Sequence, residues 1–151
     1  MGSYKYIHEN EMALYKNDER KKEILQEVRN QPILQRVERP TKLAKAKIVG
    51  YKAKQGYIIV RVRVSKGDFR RPRANHARRP SKSGLYYKLA MSKEDIARNR
   101  ALKVYKNMKV IGSYFLIEDG KNKWFEVIMI DSKNYKWILV KNSLIFLYKL
   151  A

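Results

Sequence analysis

The residues of this chain able to do acid–base, metal or phosphate chemistry are two histidines, 14 carboxylates and 35 lysines or arginines. There is no cysteine, which excludes thiolate nucleophiles, disulfides and thiolate metal sites. His8 and His76 stand far apart, with no carboxylate spacing around either that suits a metal, and both are expected at the surface or facing phosphate. Glu118, Asp119 and Asp131 are the acids that could hold a divalent cation for phosphodiester cleavage. The first two fall in "EDGKNK", which reads as a turn, and Asp131 closes an apolar run, so structural positions are expected for all three. No phosphate-binding loop, dinucleotide fingerprint or nucleophile elbow is present. Neither catalysis nor a cofactor or metal is expected.

What remains is recognition of phosphate by cations. The formal net charge is +21, and self-repulsion of that size opposes compaction unless an anionic partner neutralises it. The excess is local. Between Arg36 and Lys88, seventeen lysines and arginines face only Glu38 and Asp68, a formal +15. The candidate contacts are Arg36, Arg39, Lys42, Lys45, Lys47, Lys52, Lys54, Arg61, Arg63, Arg70, Arg71, Arg73, Arg78, Arg79 and Lys82, with Tyr51 among them. A solvated basic tail would suffice for a plain lysine run. Here "RRPRANHARRP" is rich in arginine, whose guanidinium pairs phosphate in bidentate fashion. Tyr51, Tyr57, Phe69, Tyr86 and Tyr87 are interleaved and can stack on unpaired bases. No helix-turn-helix, zinc finger or basic zipper is visible, so folded RNA is favoured over duplex DNA.

The elements that must position these side chains follow from periodicity. In "YIIVRVRV", Ile58, Val60, Val62 and Val64 alternate with Tyr57, Ile59, Arg61 and Arg63. Period two predicts a strand with one buried face and one cationic face turned to RNA. Residues 3 to 30 read as one helix, possible cap Ser3, running unbroken to Pro32. "ILQRVERP", between Pro32 and Pro40, reads as an irregular or short extended link. Gly50 and Gly56 frame the loop "YKAKQ" and suit positive φ. "MSKEDIARNRALKVYKN" reads as a helix capped by Ser92 with Asp95. "KVIGSYFLIEDGKNKWFEVIMID" reads as strand, turn, strand, with Gly120 suited to a left-handed turn position. Residues 65 to 88 show no period and carry Pro72, Pro80, Gly67 and Gly84, the pattern of a long basic extension. The expected fold is α+β: a small, mostly antiparallel sheet packed with helices, plus extended basic segments, in a single domain over 1–151. The last segment, "ILVKNSLIFLYKLA", is an apolar tail over 138–151. It suits packing on the core or contact with a neighbouring protein. It is interrupted by Lys141, Asn142 and Ser143, so no membrane span is expected. "MGSYKYIHEN" lacks the apolar centre of a signal peptide, so no secretory leader is expected.

Three blocks carry a resemblance: "MGSYKYI", "RPTKLAKAKIVGYKAKQGYIIVRVRVSKG" and "KVIGSYFLIEDGKNKWFEVIMID". In order and spacing they resemble the archaeal and eukaryotic ribosomal large-subunit protein family numbered fifteen in the e-type series, over about residues 1–138. The resemblance implies a structural constituent of the large ribosomal subunit, cytoplasmic and without enzymatic activity. Its partners would be large-subunit rRNA and neighbouring ribosomal proteins, with no membrane and no small-molecule substrate. It also implies that Tyr51, Lys52, Lys54, Arg61 and Arg63 lie in an RNA-facing block and that residues 70–88 match the family's basic extension. Beyond Trp137 and Ile138 the apolar tail stands where a basic tail is usual in the family. The alternative is a nucleic-acid-binding or chromatin-like protein outside the ribosome.

Overall fold

A computed structural model describes residues 3–67, 76, 77 and 90–133 of the chain. Among these residues the helices are α1 (Ser3–Lys16), α2 (Asp18–Asn30), α3 (Leu43–Val49) and α4 (Lys93–Val104). The strands are β1 (Leu34–Val37), β2 (Tyr57–Ser65), β3 (Met108–Glu118) and β4 (Asn122–Asp131). The sheet runs in the order β1-β2-β4-β3, and each neighbouring pair is antiparallel. The α+β expectation holds. The alternating run and the apolar run "WFEVIMI" become its two central strands, β2 and β4.

Both faces of this sheet are covered, which corrects the expectation of one cationic face. On the first, Val60, Val62 and Val64 of β2 and Phe125, Val127 and Met129 of β4 pack against Ala97 and Ala101 of α4. On the second, Val28 of α2 lies with Trp124, Leu116 and Ile117, while Ala46 of α3 lies with Tyr114 and Ile128. The register puts Ile59 opposite Ile128, Arg61 opposite Glu126 and Arg63 opposite Trp124 on that second face. Side chains alternate between faces, so Arg61 points beneath α2 and α3 instead of into solvent. It is only 4% exposed. A strand covered on both sides reads as a nearly continuous apolar run; β4 does so, broken only by Glu126.

Local chemistry accounts for the element ends. The segment 3–30 forms two helices and not one, because the Asn17 side chain accepts a hydrogen bond from Glu19 N at 3.0 Å and starts α2 afresh. The link after Pro32 contributes β1, which pairs with the edge of β2 from Leu34–Val62 to Val37–Ile59. Ser92 caps α4 as expected: its Oγ accepts from Asp95 N at 3.1 Å and donates to the Asp95 carboxylate at 2.6 Å. α3 ends at Gly50, whose φ of 106° is left-handed and suits a residue without a Cβ. Gly56 also has positive φ, at 87°, but Gly120 does not, so the turn between β3 and β4 needs no left-handed glycine. Instead Asp119 N donates to Asn122 O at 2.8 Å, and Gly120 N donates to the Asp119 carboxylate. Arg70, Arg71, Arg73, Arg78, Arg79 and Lys82, most of the basic extension, and the apolar tail lie outside the described residues.

Candidate RNA interface

Two of the expected phosphate contacts are internal to the protein. Arg61 extends from the centre of β2 and each of its nitrogens is occupied. Nε and Nη2 donate to Glu126 Oε1 at 3.3 and 3.2 Å, Nη1 to Glu27 at 3.0 Å and Gln31 at 2.8 Å, and Nη2 also to Thr41 at 2.9 Å. Glu126 is fully buried and accepts further bonds from Thr41 N, Thr41 Oγ1 and the Tyr114 hydroxyl. One ion pair thus joins β2, β3, β4, α2 and the chain entering α3. Lys42 is also buried, with Nζ donating to Leu116 O at 2.6 Å and Phe115 O at 3.3 Å. Burial, with Lys45 nearby, lowers its pKa from 10.5 to about 8. Desolvation disfavours the ammonium more than the attraction of Glu126 and Glu11 favours it. These two side chains build the scaffold, and their donors are not available to phosphate.

The other described candidates remain accessible. Arg36 is exposed on β1, Arg39 just beyond it, Lys45 and Lys47 on α3, and Lys52 and Lys54 in the loop after Gly50. Tyr51 is half-buried, its ring 6.3 Å from and perpendicular to that of Tyr57. Arg63 is half-buried beside Trp124, and its carbonyl accepts from Arg100 at 2.7 Å.

Topology gives the sheet two unlike ends. At one end β2 and β3 begin and β1 and β4 finish, since Tyr57 pairs with Ile130 and Met108 with Asp131. That end gathers Arg39, Lys52 and Lys54 with Lys106 and Lys133, which follow α4 and β4. All five are exposed. Lys106 and Lys133 lie outside the +15 stretch and carry no sequence signal; only the strand pairing brings them here. Four acids lie toward the opposite end, Glu94, Asp95, Glu118 and Asp119, and all four are engaged. Glu118 pairs with Lys123 at 3.0 Å and Lys66 at 3.4 Å, and Asp119 with Arg29 at 2.8 Å. Glu94 and Asp95 both hold Arg98. Hydrogen bonding to Lys123 and to Arg29 keeps the Glu118 and Asp119 carboxyls below their usual range, and the Ser92 hydroxyl does the same for Asp95. Glu118 and Asp119 therefore serve the hairpin, as expected, and Asp131 closes β4.

An α+β scaffold in which most of the acids that pair do so away from the end where exposed cations gather is the form of a basic nucleic-acid-binding protein. The chain belongs to the ribosomal L15e family: the family model described as Ribosomal L15 matches residues 2–149. Membership makes it a structural, non-enzymatic constituent of the large ribosomal subunit, of the archaeal and eukaryotic cytoplasmic type, binding rRNA among other ribosomal proteins. It replaces the alternative of a chromatin-like protein outside the ribosome. The match also runs past residue 138, where the resemblance was expected to stop, into the apolar tail. Among the described residues no helix is long and apolar enough to cross a membrane.

Proposed function

We propose that the chain holds rRNA through the basic end of its sheet, with Arg36, Arg39, Lys47, Lys52 and Lys54 as phosphate contacts, while Lys45 on α3 and Arg63 near the far end of β2 are contacts apart from that end. Lys106 and Lys133 extend this surface. The arginines of the 65–88 extension, Arg70, Arg71, Arg73, Arg78 and Arg79, together with Lys82, supply further phosphate contacts, so that one domain bridges separate RNA segments. The mechanism is electrostatic and geometric: cations displace condensed counterions, and a rigid sheet fixes where those cations stand. One observation carries the reading. None of Arg39, Lys47, Lys52 and Lys54 forms an ion pair with another described residue, whereas the cations at the opposite end, Arg29, Lys66 and Lys123, do.

Ultraviolet cross-linking of intact large subunits, followed by peptide mapping, tests this. Cross-links are expected in residues 36–54 and in the 65–88 extension, and not in the hairpin turn at 118–122. The reverse distribution would overturn the assignment of the basic end.

A further inference from the structure

The strand pairing leaves a notch at the corner of the basic end. β1 stops where Val37 faces Ile59, so no β1 residue lies opposite Tyr57 and Ile58 of β2. The resulting pocket has a volume of about 300 Å³, at the small end of ligand sites. Tyr51 and Tyr57 line one side, and Arg36 and Glu38 line it from the end of β1. The two rings meet edge to face, so the edge-on ring keeps both of its faces clear of that contact. Glu38 is exposed and forms no ion pair with another described residue, although Arg36 and Arg39 flank it in sequence.

A carboxylate beside a phosphate-binding surface repels phosphate. It is useful there only if it accepts hydrogen bonds from something else the RNA brings. Bases supply such donors, and guanine presents N1–H and N2–H₂ together on its Watson–Crick edge. A guanidinium complements the same base by donating to O6 or N7. Unpaired bases in RNA are read in this way, stacked on aromatic side chains and bonded along their edges. We infer that the notch receives one unpaired guanine of the rRNA, with a tyrosine ring for stacking, Glu38 as acceptor and Arg36 as donor. This rests on the RNA-binding reading above and adds base selectivity to it.

The test uses the full-length chain and three single-stranded uridine heptamers whose central base is guanine, adenine or uracil. Filter retention is measured at about 0.3 M salt, where phosphate contacts are weakened. The guanine oligomer is expected to bind about tenfold more tightly than the other two. Glu38→Gln should abolish that preference, with the adenine and uracil oligomers binding as tightly as before or slightly more tightly because one repulsive charge is gone. Tyr57→Leu should weaken all three, and circular dichroism checks that it remains folded. Equal retention of the three oligomers, or a guanine preference that survives Glu38→Gln, overturns the inference. Equal retention is also the outcome expected if a strand from a neighbouring protein fills the notch. Steep salt dependence without base preference would sink the guanine site and leave phosphate binding standing. A flat salt response would sink the RNA-binding reading itself.

Discussion

At Arg61 a guanidinium sits between helices and sheet, where desolvation costs several kcal/mol unless every donor is matched. All three of its nitrogens are matched, and Glu126 opposite is bonded from four directions counting Tyr114 and both groups of Thr41. Arg61→Met should therefore lower the unfolding free energy of the full chain in urea by about 3–5 kcal/mol, because the buried Glu126 is left without its cation. Adding Glu126→Gln should recover most of the loss. A single variant within about 0.5 kcal/mol of the parent would mean that the pair does not hold the sheet to its helices. Lys42 gives a second prediction, in pH. Its folded pKa is lowered to about 8 from 10.5, so between those values the unfolded chain binds a proton that the folded chain has released. Stability then rises with pH across that window, and the cost of burying the charge is present in full below about 8. Between about pH 7 and about pH 9.5 the parent should gain on the order of 1–2 kcal/mol over Lys42→Met. Parallel pH profiles for the two proteins would refute it. Period two correctly put Arg61 and Arg63 on one face, but alternation cannot say what covers a face. Glu27 of α2 and Gln31 just past its end reach Arg61 from some 30 residues away. One signal was present: Glu126, a single acid inside "WFEVIMI", has no place in an apolar strand unless a buried cation meets it.

Helix and strand approach closely where α3 crosses β3. A Cβ built on Gly112 would lie 2.5 Å from Val49 Cγ1, and one on Gly50 would lie 3.3 Å from Ile111 Cγ2. Gly112 sits at a register shift of the β3–β4 ladder, so the missing side chain lets the helix settle directly on the strand. Gly112→Ala should cost about 1–3 kcal/mol through overpacking. Val49→Ala in the same chain should return part of it, since the methyl that clashes is then gone. If the double variant is as unstable as the sum of the singles, the α3–β3 contact is not the cause. Hydrogen exchange should show the loss first in α3. Elements governed by neighbouring residues were legible: the Ser92 cap, the β3–β4 hairpin and the positive φ of Gly50 and Gly56 each follow from a few adjacent residues, whereas the helix α3 before Gly50 was not foreseen. The division at Asn17 was also encoded locally, as an asparagine followed by Asp18 and Glu19, but the polar stretch around it disguised a new start as a continuing solvated helix. β1 was not encoded locally. Its four residues between prolines become a strand because the edge of β2 offers main-chain partners, and that offer comes from the tertiary fold.

Over the whole molecule, the placement of acids decides which cations are available. Glu9, Asp18 and Glu23 pair within α1 and α2, Glu11 bonds Ala44 N at the start of α3, and Glu118 and Asp119 hold the hairpin end. Residues 3–30 carry as many acids as lysines and arginines and are formally neutral, so the net charge that composition reveals is displayed elsewhere. Composition led to nucleic acid, with folded RNA favoured, and the resemblance sharpened that to the large ribosomal subunit. The polarity of the sheet, with Lys106 and Lys133 beside Lys52 and Lys54, required the strand order. It makes a prediction that total charge alone does not. Binding of the full chain to large-subunit rRNA should weaken steeply with salt, and the log–log slope counts the phosphates neutralised, at about 0.7–0.9 per contact. Replacing Lys52 and Lys54 together by Gln should make that slope shallower by about 1.5. Lys22→Gln, which removes an exposed cation from the neutral helical pair, should leave it unchanged. If Lys22→Gln lowers the slope by as much per charge as the loop pair does, RNA responds to the overall charge and not to one end of the sheet.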